Sequence, residues 1–120
     1  MKTLKIILTL ITITAMFGIF KLFFASDSDS GLSEKINGKT FLVDVRSPQE
    51  FASGSVKGAV NIPLDRVQSE LSKFRDKENI VVFCRTGNRS GQAKTILEKN
   101  GITNVINGGS WQNVNQFVNN

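Results

Sequence analysis

Cys84 is the one thiol in a chain of 120 residues, and Arg85-Thr86-Gly87-Asn88-Arg89-Ser90 follows it directly. A cysteine, two guanidinium groups, a glycine and small polar residues within one short turn can hold a thiolate and an oxyanion together. Free cysteine has a pKa of roughly 8.5, which helix N-termini and neighbouring cations lower to about 3.5–7.5. Successive backbone N–H groups in such a turn can converge on one centre, an anion-binding nest at the positive end of a helix dipole. Gly87 allows the backbone conformations this requires, and Arg85 and Arg89 add forked donors suited to oxyanions. The pattern predicts a nucleophilic Cys84 activated without an imidazole. The competing reading is a buried, inert cysteine that closes a core strand.

Other chemistries are removed by absence. There is no histidine, so a Ser-His-Asp triad, a Cys-His protease pair and histidine metal sites are excluded. A single cysteine closes no internal disulfide and supplies no thiolate zinc cluster, so neither a metal nor a cofactor is expected. The formal charge of +5 overstates the basic character of the folded part. Lys2, Lys5 and Lys21 lie in the first 25 residues, which leaves 12 basic and 10 acidic residues beyond them, a net of +2. No basic run with interleaved aromatics occurs, and no nucleic-acid partner is expected.

For the turn to act as a site, it must leave a buried strand and open a helix. Ile80, Val81, Val82 and Phe83 are apolar in succession and predict a strand over 79–84. A helix is expected from Arg89 to about Asn100, with Ala93, Ile96 and Leu97 inward and Gly101 as its stop. Residues 41–45, 59–62 and 104–106 predict three more short strands. Ser47-Pro48-Gln49-Glu50 reads as a capping box with proline at the first helical position. Asp65 and Gln68 predict a second box, before a helix lined by Leu64, Val67, Leu71 and Phe74. Gly108-Gly109 leads to a terminal helix carrying Trp111, Val114 and Phe117. Strands alternating with helices predict an open α/β fold with a central parallel sheet, whose ligands bind outside the carboxyl ends of the strands. Cys84 falls at such an end.

Residues 1–25 have a different character. A positively charged start is followed by an uncharged run over 6–20, and residues 26–31 form a polar linker before a single domain over 32–120. This opening predicts an export signal or an N-terminal membrane anchor. Either places the domain beyond the cytoplasmic membrane, in the periplasm, anchored by residues 6–25 or soluble after cleavage. Bulky residues at the cleavage positions tilt the reading toward an anchor with Lys2 and Lys5 inside.

The loop at Cys84 resembles the active-site loop of rhodanese-family sulfurtransferases. Val43-Asp44-Val45-Arg46-Ser47-Pro48-Gln49-Glu50-Phe51 and Gly58-Ala59-Val60-Asn61-Ile62-Pro63 are similar to that family's upstream signature. Gly101 through Gly109, with Trp111, resembles its closing segment. The resemblance spans about residues 40–112 in the family's order and identifies residues 32–120 as a rhodanese domain. It implies a small parallel five-stranded sheet flanked by helices. It also implies a covalent persulfide on Cys84, loaded by a small anionic donor such as thiosulfate and discharged to cyanide or a thiol. Arg85, Thr86, Gly87, Asn88, Arg89 and Ser90 would bind the donor, and Asp44 and Arg46 would support the loop. Many relatives carry histidine where this chain has Ser55, outside the loop.

Three alternatives stand beside this reading: a non-catalytic binding module, a sulfur carrier to a protein partner, and a phosphatase or arsenate reductase. Four residues separate Cys84 from Arg89, where tyrosine phosphatases place one more, which favours a sulfur-sized cradle. The oligomeric state is left open by the sequence.

Overall fold

The computed structural model describes residues 31–32 and 36–118. The expected export segment over 1–25 and most of the linker lie outside the described residues. Among the described residues, no helix is long and apolar enough to cross a membrane.

Four strands form one parallel sheet: β1 (Thr40–Asp44), β2 (Val60–Asn61), β3 (Asn79–Cys84) and β4 (Val105–Ser110), in the order β2-β1-β3-β4. The helices are α1 (Pro48–Ala52), α2 (Leu64–Val67), α3 (Asn88–Lys99) and α4 (Trp111–Val118), with a 3-10 helix at Gln68–Lys73. The uninterrupted apolar run of β3 follows from burial on both faces. Ile80, Val82 and Cys84 pack with Val67, Phe74, Ala93 and Leu97. Val81 and Phe83 face Leu32, Val56 and Val114 on the other side.

The five-stranded sheet implied by the resemblance is corrected to four strands among the described residues. Ahead of β1, the Ile36 amide donates to the Leu32 carbonyl at 3.1 Å. Leu32 is buried in the core with Val114 of α4.

The local signals hold where the partners are close in sequence. Ser47 and Glu50 cap α1 reciprocally, with Pro48 at its first position. At the end of α3, the Gly101 amide meets the Glu98 carbonyl and the Ile102 amide meets the Leu97 carbonyl, a Schellman stop. The second capping box does not form. Pro63, extended and without a side-chain bond, precedes Leu64, so Asp65 lies inside the first turn of α2. The helix beyond is also broken, because Glu70 leaves helical geometry at φ −118°, ψ 30°. Val67 and Phe74 are nevertheless fully buried.

β4 runs farther than expected, through Gly108 and Gly109. Gly108 has no room for a side chain: a Cβ would sit 2.5 Å from a Val114 methyl and 2.9 Å from a Val81 methyl. Its bareness lets α4 lie directly on the sheet. Gly108→Ala is therefore expected to destabilise the fold by about 1–3 kcal/mol through overpacking. Chemical denaturation measures this, and an unchanged midpoint would mean α4 shifts freely.

Candidate active site

β1 and β3 are neighbours whose crossovers leave in opposite directions, to β2 and to β4. Their carboxyl ends therefore bound the crevice where open α/β sheets bind ligands. Asp44 ends β1 and pairs in register with Phe83, immediately before Cys84. The Val45 amide, donating to the Phe83 carbonyl at 2.9 Å, joins the two ends.

After Cys84 the chain turns sharply into α3. Gly87, at φ +102°, occupies the left-handed region at the helix start, where glycine alone is unstrained. The Gly87 amide donates to Cys84 Sγ at 3.0 Å, and Ser90 Oγ lies 3.4 Å from the same sulfur. Burial pushes the Cys84 thiol up. The Ser90 hydroxyl and the amides of Ser90, Gly87 and Thr86 outweigh it and hold the thiol below its usual range. Hydrogen bonds from the loop are what hold the thiol down. Cys84 itself is 0% exposed, so Sγ sits at the floor of the loop.

The two arginines have different surroundings. Arg85 is exposed, as are Thr86 and Asn88. Arg89, a donor-binding residue by the resemblance, has its guanidinium on Glu50 through two bonds of 2.6 and 2.9 Å. Arg89 drives the Glu50 carboxyl down from 4.5 to about 2, with help from Ser47 and against a smaller opposing effect of burial. Glu50 in turn raises Arg89 above its ordinary value. The pair braces α3 against α1 beside a groove of about 360 Å³ lined by Val45, Ser47, Pro63, Leu64, Asp65 and Arg89.

A carboxylate whose folded pKa is depressed stabilises the fold above its unfolded value and loses that contribution as pH falls through the folded one. The Glu50 contribution is therefore complete above about pH 4.5 and is lost toward about pH 2. Thermal midpoints across this window should fall less steeply in Glu50→Gln than in the parent chain. Equal slopes would contradict the ion pair.

Asp44 and Arg46 form a buried ion pair at the end of β1. Asp44 Oδ2 accepts from Arg46 Nη2 at 2.7 Å and from the Ser55 hydroxyl at 2.7 Å, while Oδ1 accepts the Arg46 amide at 2.9 Å. Arg46 also donates to the Gly54 carbonyl at 2.6 Å and lies 5.4 Å from the centre of the Trp111 ring. Ser55 thus takes a direct place on the Asp44 carboxylate. Asn61 Nδ2 donates to the carbonyls of both Asp44 and Arg46, at 2.9 Å each.

The sequence reading missed Asn107. It is 7% exposed and reaches the loop from β4, bonding Ser90 and the Gly87 carbonyl. A register shift places it there: Val82 pairs with Asn107, but Cys84 pairs with Ser110. One extra β4 residue is accommodated, with Gly109 at φ +80°, and bulges of this kind re-aim side chains beside active sites. Its only signal in the sequence is a polar residue set between the apolar Val105-Ile106 and the glycine pair Gly108-Gly109.

A family model described as Rhodanese-like domain matches residues 28–116. The chain belongs to the rhodanese-like family. Thiosulfate sulfurtransferase PspE of Escherichia coli (strain K12) is 40% identical over 74 residues, covering 60% of this chain and 71% of that protein. Uncharacterized protein YqhL of Bacillus subtilis (strain 168) is 39% identical over 69 residues, 58% of this chain and 55% of YqhL, so the chain spans little more than half of that relative. Among solved structures, a rhodanese with anions from E. coli is 37% identical with a TM-score of 0.57, covering 62% of this chain and 89% of that one. Rhodanese membership accounts for the α/β architecture and for the order of the segments around Cys84.

Proposed function

We propose that the chain is a thiosulfate sulfurtransferase that carries sulfane sulfur on Cys84. The observation that carries this reading is a thiol at the floor of an amide-lined turn, held below its ordinary pKa at the carboxyl ends of β1 and β3. The Cys84 thiolate attacks the outer sulfur of thiosulfate; that S–S bond breaks and sulfite leaves with its electron pair. The Cys84 persulfide anion then gives its terminal sulfur to cyanide or a thiol, which restores the thiolate. Each step conserves charge and needs no proton from an imidazole.

The amides from Thr86 to Ser90 stabilise charge on the persulfide. Arg85, exposed on the loop, draws in the dianionic donor. Arg89 offers a second guanidinium, partly neutralised by Glu50. Arg85, Thr86 and Asn88 are the exposed loop residues that an arriving donor meets first, above the buried Cys84. The charged start and apolar run of the first 25 residues support a periplasmic setting, with an anchor or a cleaved signal.

The test is turnover by the purified chain with thiosulfate and cyanide. Thiocyanate formation supports the transferase. Transfer to a protein thiol without thiocyanate would favour a sulfur carrier, phosphate release from an aryl phosphate would favour a phosphatase, and none of these a binding module.

A further inference from the structure

Asn107 is buried among the groups that surround the thiol, bonded to Ser90 and to the Gly87 carbonyl. We propose that Asn107 is a positioning residue that draws the Ser90 hydroxyl proton away from Cys84 and so restrains ionisation of the thiol. This rests on the reading of Cys84 as the nucleophile.

Two backbone groups of fixed polarity orient the Asn107 amide. The Gly109 N–H can only donate, and it meets Oδ1 at 3.0 Å. The Gly87 carbonyl can only accept, and it meets Nδ2 at 3.0 Å. The side-chain oxygen and nitrogen, otherwise interchangeable in shape, are thereby assigned. Oδ1 carries no proton, so its 2.7 Å contact with Ser90 Oγ is a donation by the hydroxyl.

A hydroxyl has one proton and two acceptor lone pairs. With its proton on Asn107, Ser90 turns lone pairs toward Sγ at 3.4 Å. That arrangement receives the S–H of a neutral thiol and gives nothing to a thiolate. On ionisation the thiol proton leaves to water, and the hydroxyl rotates its own proton from Oδ1 to Sγ. Oδ1 keeps the Gly109 amide. One proton thus serves two acceptors, and Asn107 opposes what the loop amides promote.

The charged groups around this site lie elsewhere. Arg85 is on the loop, Arg89 on α3 with Glu50 on α1, Asp65 on α2, and Asp44 with Arg46 at the end of β1. β4 carries no charge over Val105–Ser110. A substitution at Asn107 removes none of them.

The experiment is the pH dependence of iodoacetamide alkylation of Cys84 in the full chain, whose only thiol it is. Asn107→Ala is expected to lower the midpoint by about one pH unit, or about tenfold more thiolate at pH values below it. In a Ser90→Ala background the same substitution should shift nothing. An unchanged or raised midpoint, or an equal fall without the Ser90 hydroxyl, overturns the proposal. Should Asn107→Ala fail to fold, Asn107→Asp keeps acceptors for Gly109 and Ser90 and should raise the midpoint; no rise contradicts the proposal. Alkylation needs no sulfur donor. A titration that behaves as expected in a chain that transfers no sulfur would count against the transferase reading alone.

Discussion

Cys84→Ser is expected to abolish thiocyanate formation, a loss of at least about three orders of magnitude, on the scale seen when a covalent nucleophile is removed. The argument is chemical rather than structural. A hydroxyl has nearly the same shape, and the Gly87 amide and Ser90 hydroxyl that now surround Sγ can bond an oxygen in its place. Its burial is therefore hydrogen-bonded, and the fold should change by no more than about 1 kcal/mol. The same groups cannot ionise a hydroxyl near neutral pH, and oxygen forms no persulfide. Circular dichroism and the cyanide assay separate the two effects. Residual turnover within tenfold of the parent chain would move the chemistry away from this residue.

Asp44→Ala should have the opposite profile, a large loss of stability with little direct effect on chemistry. The Asp44 carboxylate is fully buried, and the Arg46 side chain is only 5% exposed. Removing the acid leaves a guanidinium with the Gly54 carbonyl and the Trp111 ring as its remaining support. Stranding one member of a buried pair costs about 3–5 kcal/mol, a large part of the roughly 5–15 kcal/mol that holds a small domain together. The melting temperature should fall by on the order of 15 °C or more. Replacing both partners by apolar residues should cost much less, since no charge is then left unpaired. A melting temperature within about 2 °C of the parent chain would show that water or another group can take the place of Asp44.

The sequence made the chemistry of the loop visible because all its parts are consecutive. Cys84, Gly87 and Ser90 meet through one turn, so spacing alone predicts that amides will surround the thiol. The Ser47–Glu50 box and the Gly101 stop are local for the same reason. What stayed hidden depends on crossovers and register. Glu50 reads as a capping residue, and its second partner, Arg89, is 39 positions away. Asn107 reaches Ser90 across 17 positions, and only after a bulge shifts β4 against β3. Gly108 and Gly109 looked like a linker because glycine is a poor strand former, although the close approach of α4 demands the first of them. The kink at Glu70 has no counterpart in the apolar pattern, because Val67 and Phe74 reach the core on both sides of it.

The central claim is that Cys84 takes up one sulfur atom and holds it as a persulfide. Intact-mass spectrometry of the chain after incubation with thiosulfate, without any acceptor, tests it most directly. The account predicts a gain of about 32 Da, confined to a peptide containing Cys84 and reversed by cyanide. An unchanged mass, in a protein whose thiol still alkylates, would contradict it.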